Sequence, residues 1–282
     1  MRYTSAPLLP EPMSVIGFGC WPLSGSGHWS GYDEAGAIAA VRRAVELGIN
    51  FFDVAPVYGL GHAEEVLGQA LAARRDDVLI ASKFGLVWDG QNRVTNNGTA
   101  ASIRSEVEAS LRRLRTDRID VYQMHWPDPG SDIDETMAAV LELQAEGTIR
   151  YIGLSNFSIA EMERARLSGA VATFQGLYNM LEHDPDSYHG IPLEYRSRSE
   201  VLPYVVDAGI NLLFTSFWYK FNVEMDREVS GMTETSVIYG SLCMNIDVLD
   251  EGIQLPPLER GQRLIFSPVG AYNNTQWLQF IE

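Results

Sequence analysis

The sequence predicts an α/β chain built on a (β/α)8 barrel of the TIM type, incomplete at its C-terminal end and followed by a β-rich tail. Three observations carry this expectation. Apolar strand-like runs alternate with amphipathic helix-like runs through the first 216 residues, the pattern of a parallel sheet. Seven such strands follow one another without the glycine fingerprint of a doubly wound nucleotide fold, which favours a barrel. From about residue 217 the alternation stops, so an eighth strand and its helix are not visible. A doubly wound sheet is the alternative that periodicity alone leaves open.

In order, VIGFG (15–19) reads as a short strand ending in glycine. Asp33 is placed to cap a helix over about 34–47, whose apolar face carries Ala37, Ile38, Val41, Ala44 and Val45, with Gly48 ending it. INFFDVAP (49–56) is the next strand and 63–75 the next helix. VLIASKF (78–84) is the third strand; a polar stretch rich in Asn and Gly (89–99) leads to a helix at about 100–115. IDVYQMH (119–125) and a helix at 134–147 follow, then IRYIGLSNFS (149–158) with a helix at about 158–168. VATFQGLYN (171–179), a helix at about 198–208 and INLLFTS (210–216) complete the series.

The tail reads differently. SVIYGSLCMNIDVLD (236–250) and QRLIFSPVGAY (262–272) have strand character and are separated by the turn LPPLERG. We therefore divide the chain into a barrel over 1–216 and a β-rich segment over 217–282. A parallel barrel without its last unit leaves two unpaired edges, so the tail is expected to pair with one of them or with a partner chain.

The totals exclude several classes. A formal net charge of −16 gives no basic track for nucleic acid or for an anionic membrane surface. Two cysteines, Cys20 and Cys243, make no disulfide framework and fit a reducing, cytoplasmic setting. MRYTSAPLLPEP lacks the apolar core of a signal peptide, and no run approaches the ~20 apolar residues that span a bilayer. No metal site is expected.

Parallel barrels place their chemistry at the C-terminal ends of the strands. Four polar residues fall there: Asp53 in the second strand, Tyr58 in the loop after it, Lys83 near the end of the third strand, and His125 ending the fourth. Singly, each has a plain structural use. Asp53 could cap a loop, Tyr58 could be a packed ring, and His125 a hydrogen-bonded core residue. A lysine inside IASKF is harder to place, because a buried ammonium needs an anionic partner. Together the four suit carbonyl reduction. An aldehyde or ketone that receives hydride needs a proton donor, and a tyrosine eased by a neighbouring ammonium can be one. A carboxylate would hold that ammonium, and a histidine opposite would orient the carbonyl and stabilise the alkoxide.

VIGFGCW (15–21), ELGINFFDVAPVYGLGHAEEVLGQAL (46–71), ASKFG (81–85), SLRRLRTDRIDVYQMHWPD (110–128), GTIRYIGLSNFS (147–158) and FQGLYN (174–179) carry a resemblance to the aldo-keto reductase family over about 12–216. The resemblance implies NADPH or NADH as hydride donor and a small-molecule carbonyl substrate. It implies that Ser155, Asn156 and Gln175 bind the nicotinamide carboxamide, with Ser216 also on the cofactor and Trp21 and Trp126 on the substrate side. Two departures stand out. The Tyr-Ser pair that usually ends the seventh strand reads Thr215-Ser216, and the segment that grips the adenosine phosphate has no counterpart. VVDAGIN (205–211), YGSLCMNIDVL (239–249), LPPLERGQRL and PVGAYN (268–273) instead resemble the C-terminal β-domain of pyridoxal-phosphate-dependent ornithine- and diaminopimelate-type decarboxylases. In that family the positions matched by Cys243 and Tyr272 approach the cofactor. The alternatives to a working reductase are a catalytically impaired fused or truncated barrel that acts as a binding protein, and a decarboxylase-related protein.

Overall fold

The computed structural model describes residues 1–178, 184–188 and 191–207, and the backbone of strands at 211–215, 222–225, 234–239, 248–255 and 264–267. The chain opens with an antiparallel hairpin, β1 (Tyr3–Ala6) and β2 (Leu9–Ser14). Then follow β3 (Phe18–Gly19), α1 (Glu34–Glu46), β4 (Phe51–Asp53), α2 (His62–Leu71) and β5 (Leu79–Phe84). A second hairpin, β6 (Leu86–Trp88) and β7 (Val94–Asn96), precedes α3 (Ala100–Leu114). Next come β8 (Ile119–Met124), α4 (Ile133–Ala145), β9 (Ile149–Ser155), α5 (Ile159–Ser168) and β10 (Val171–Leu177). A short pair, β11 (Ser187–Tyr188) and β12 (Ile191–Pro192), leads through a π-helical turn at Ser197–Val201 into α6 (Leu202–Asp207) and β13 (Asn211–Thr215). The tail contributes β14 (Asn222–Met225), β15 (Glu234–Tyr239), β16 (Val248–Leu255) and β17 (Leu264–Ser267).

Seven strands form one parallel sheet in the order β13-β10-β9-β8-β5-β4-β3, and six of them are followed by a helix. The sheet curls. β4 and β10 lie four places apart, which in a flat sheet would separate them by ~19 Å. Yet Gln175 Nε2 donates to Asp53 Oδ2 at 3.1 Å, so the two strands face each other across an interior. The curl is that of an incomplete β/α barrel.

Strand parity builds the two faces. Ile80, Ser82 and Phe84 of β5 point to the helices, while Leu79, Ala81 and Lys83 point inward. The base of the interior is apolar: Phe51, Leu79, Ala81 and Val121 pack with Leu9 and Met13 of the N-terminal hairpin, which plugs that end. This plug is invisible in the sequence, because LPEP carries two prolines and a charge. Outside, the helices pack on one another in chain order. Asp33 accepts from Ala35 N at 3.1 Å to begin α1, and Ser158 and Glu161 form a capping box on α5. Fully buried Glu64 accepts from Ser82 Oγ and Arg113 Nε, both at 2.7 Å, and so ties β5, α2 and α3 together.

Three expectations change. Only Phe18–Gly19 of the run 15–19 joins the sheet, because Val15 N still donates to Arg2 O beside the first hairpin and Ile16 is exposed. The polar stretch at 89–99 is not a plain connection but carries half of the β6–β7 hairpin. The run 236–250 divides between two strands, β15 and β16, paired antiparallel, and β14 pairs with β17. Among the described residues these tail strands pair with one another and none pairs with β3 or β13. No helix among the described residues is long and apolar enough to cross a membrane.

Candidate active site

The inward parity of four strands places Asp53, Lys83, Gln123 and Gln175 above the apolar base, and His125 follows Gln123 at the end of β8. Lys83 is only 2% exposed. Its Nζ donates to Asp53 Oδ1 at 2.6 Å, to Val54 O at 3.2 Å and to Tyr58 Oη at 3.3 Å, which uses all three of its protons. The ammonium also lies 5.1 Å from the centre of the Tyr58 ring.

Tyr58 reaches this place because the loop after β4 folds back tightly. Tyr58 N donates to Ala55 O and Ala63 N to Tyr58 O, at 3.1 and 3.2 Å. Gly59 has φ +64°, and a Cβ there would sit 2.8 Å from Ser24 C, so the turn requires glycine. The ring of His125 stands 5.9 Å from that of Tyr58 at 80°, and Trp21 stacks on Tyr58 at 6.3 Å. Tyr58, His125, Trp21 and Trp126 are all part-exposed, whereas Lys83, bonded to Tyr58, is buried.

Electrostatics follow from that burial. Burial pushes the Tyr58 phenol up to about 12, with Lys83 pulling the other way and Asp53 adding to the rise. The ammonium therefore eases ionisation, as its proximity to the phenol suggests, but in the ligand-free chain it does not outweigh burial. For Lys83 burial favours the neutral form, yet Asp53 and Tyr58 together more than offset it and the group is raised above an ordinary lysine. His125 is held well below its usual value by burial and then by Lys83, so it is neutral at pH 7. A neutral imidazole and a protonated phenol side by side, the phenol backed by a charged lysine, can donate a hydrogen bond and a proton to a single oxygen.

Ser155, Asn156 and Gln175 also come together. Asn156 N donates to Gln175 O at 3.0 Å, and Asn156 Nδ2 donates to His125 O and Ser155 Oγ, both at 3.1 Å. Asn156 has φ +63°, an unfavourable backbone for a residue other than glycine, held by these bonds and by Tyr195, whose hydroxyl donates to Asn156 Oδ1 at 2.9 Å. The donor set suits a planar amide: Ser155 Oγ accepts from Asn156 and keeps its own proton to offer, and Gln175 stands next to the Asp53–Lys83 pair. Trp126 packs on Tyr188 at 5.8 Å. Ser216, Cys243 and Tyr272 lie outside the described residues.

Several contributors escaped the sequence reading. Val54 and Gln123 lie inside matched words without being singled out there, and Thr173, Tyr188 and Tyr195 carry no motif. Inward parity along IDVYQMH could have found Gln123, since it shares a face with His125.

Comparison with known proteins identifies the family. The family model "Aldo/keto reductase family" matches residues 15–216, and "Pyridoxal-dependent decarboxylase, C-terminal sheet domain" matches 186–270. Aldo-keto reductase YhdN of Bacillus subtilis is 37% identical over 248 residues, which is 87% of this chain and 63% of that protein. The NADH-specific methylglyoxal reductase of Escherichia coli is 34% identical over 70% of this chain and 61% of its own length. This chain thus spans less than two thirds of the length of either relative. Among solved structures, the glycerol dehydrogenase AKR11B4 from Gluconobacter oxydans superposes with a TM-score of 0.66 at 35% identity, covering 76% of this chain and 62% of that one. An aldo-keto reductase from Klebsiella pneumoniae in complex with NADP and acetate gives 0.57 at 28% identity, over 75% of this chain and 67% of its own.

Proposed function

Because the chain belongs to the aldo/keto reductase family, we propose that it reduces a small aldehyde or ketone to the alcohol, with NADPH or NADH as hydride donor and Tyr58 as proton donor. The observation that carries this is the Lys83 ammonium, buried yet saturated by Asp53, Val54 O and Tyr58 Oη at 2.6–3.3 Å. A purely structural lysine has no need of a part-exposed phenol.

A nicotinamide held at this site would be the source of the hydride that reduces the carbonyl carbon. Ser155, Asn156 and Gln175 would hold its carboxamide, being already bonded to one another beside the tetrad. His125, neutral, donates to the carbonyl oxygen and orients it. As charge develops there, Tyr58 Oη gives up its proton to the same oxygen. A phenol near 12 is a weak acid, but an alkoxide is a stronger base than a phenolate, so the transfer is favourable once hydride has arrived. Lys83 then stabilises the phenolate and Asp53 keeps Lys83 charged and in place. Trp21 and Trp126 flank the substrate. Two similar proteins are named for activity on methylglyoxal and on glycerol, which makes short oxygenated carbonyls the first substrates to try.

The match of residues 186–270 to a decarboxylase sheet domain favours a second possibility, a catalytically impaired fused or truncated barrel that acts as a binding protein. A pyridoxal-phosphate enzyme is less well supported, since Lys83 is committed to its ion pair. Titration with NADPH, followed by nicotinamide and Trp fluorescence, tests the proposal. Saturable binding followed by aldehyde-dependent oxidation is expected. Binding without oxidation points to the second possibility, and no saturation at millimolar cofactor overturns the reductase assignment. An internal-aldimine absorbance band on incubation with pyridoxal phosphate would point to the third.

A further inference from the structure

The inward face that carries the tetrad also holds three neutral polar side chains, joined in a line. Thr173 Oγ1 donates to Gln123 Oε1 at 3.3 Å, Gln123 Nε2 donates to Gln175 Oε1 at 3.2 Å, and Gln175 Nε2 donates to Asp53 Oδ2 at 3.1 Å. Thr173 and Gln123 are fully buried and Gln175 is 4% exposed. A primary amide in such a place is unfavourable unless both its ends are partnered. The line crosses β9 at Gly153, where a Cβ would stand 2.6 Å from Gln123 Cγ and also against Thr173 Oγ1, so the absent side chain is what lets Thr173 and Gln123 meet.

The direction of the line is fixed by its end. An ionised carboxylate only accepts, so Gln175 must turn its NH2 to Asp53 and its oxygen to Gln123. Gln123 must then present its own NH2 to Gln175 and its oxygen to Thr173. Asp53 is thereby held from two sides, by Lys83 on Oδ1 and by Gln175 on Oδ2. The Gln123 donor at the far end adds a second hold on the Gln175 amide, so that Asp53 does not have to orient it alone.

We propose that Gln123 is a positioning residue of this site. By donating to Gln175 Oε1 it reinforces the amide orientation that Asp53 dictates, and through Gln175 it steadies the second oxygen of Asp53. The amide that is to meet the nicotinamide is then oriented before the cofactor arrives; this last consequence rests on the function proposed above, whereas the hydrogen-bonded line does not.

The test uses Gln123→Met, which keeps length and approximate volume and lacks the donor. In the cofactor-free chain, the Gln175 side-chain amide is identified in a 1H–15N spectrum by its loss in Gln175→Met. One of its protons is expected downfield because it bonds to a carboxylate, and it should move in Asp53→Asn. The displacement should shrink in Gln123→Met, with the rest of the spectrum retained. A Gln175 amide that keeps its wild-type position in Gln123→Met overturns the proposal. In parallel, Gln123→Met should weaken NADPH binding about three- to tenfold in the wild-type background and leave it unchanged in Gln175→Met. Equal weakening in both backgrounds contradicts action through Gln175. If the wild-type chain binds no NADPH, the functional proposal fails and the spectrum alone decides the role of Gln123. Should Gln123→Met not fold, Gln123→Glu serves: its carboxyl can donate to Gln175 Oε1 only when protonated and repels that oxygen when ionised, so the Gln175 amide signals should shift with pH as those of the wild type do not. A spectrum of that variant without pH dependence at Gln175 also overturns the proposal.

Discussion

Replacing Asp53 by Asn keeps the side chain's size and removes the charge that Lys83 faces. Nζ and Oδ1 are 2.6 Å apart, with side-chain exposures of 2% and 14%. At an effective dielectric of ~20 the attraction at that distance is ~6 kcal/mol, and the desolvation of both ions opposes it. Removing one partner of a buried pair costs about 3–5 kcal/mol, and the residual exposure of Asp53 puts the loss near the lower end, about 3 kcal/mol. The sign for Lys83 is definite. With Asp53 present its folded pKa is raised, so its contribution is fully present below the unfolded value of about 10.4 and is lost only as pH climbs through the folded value. In Asp53→Asn burial acts without its chief opponent, and the ammonium opposes folding at pH 7. Adding Lys83→Met removes that orphaned charge and should recover about 2 kcal/mol. The assay is urea unfolding of the four proteins of the cycle at pH 7, read by Trp fluorescence. A loss below about 1 kcal/mol in Asp53→Asn, typical of an exposed pair, or a double variant no more stable than the single, would refute the buried-pair account.

Three further outcomes follow from the same geometry. His125, with its depressed pKa, contributes stability that is present above about pH 6.5 and lost as pH falls through its folded value. Imidazole 15N shifts should therefore show it neutral at pH 6, and His125→Gln should flatten the decline in stability between pH 7 and 5. Glu106 on α3, raised to about 7 mainly by burial, has the opposite sense: its contribution is present below about pH 4.3 and lost as pH rises through its folded value. Glu106→Gln should accordingly be less destabilised than the wild type on going from pH 5 to 8, measured by denaturant midpoints. Tyr195→Phe leaves Leu177 N and Asn156 Oδ1 without their partner and should cost about 1–3 kcal/mol in thermal unfolding.

The sequence makes the barrel legible because strands buried on both faces, such as Leu79–Phe84 and Val171–Leu177, are near-continuous apolar runs. The exceptions within those runs are the informative residues, and Lys83 stands out for that reason. Gln123 and Gln175 are exceptions of the same kind, but an amide needs no counter-charge, so its meaning emerges only once curling brings β10 opposite β4. Long-range partners are similarly hidden: Arg113 meets Glu64 across 49 residues, and Tyr195 reaches Asn156 from a stretch with no periodicity. The N-terminal plug is missed because its two inward residues, Leu9 and Met13, are too few to make a pattern.

The central claim is that Tyr58 delivers the proton in an NAD(P)H-dependent carbonyl reduction. It is tested most directly by following NADPH absorbance with a short aldehyde for the wild type and for Tyr58→Phe, each at saturating cofactor as fixed by fluorescence titration. The expected result is turnover by the wild type and a loss of about 10²–10⁴-fold in Tyr58→Phe, with cofactor affinity nearly unchanged. Turnover retained in Tyr58→Phe would contradict the assignment of the donor.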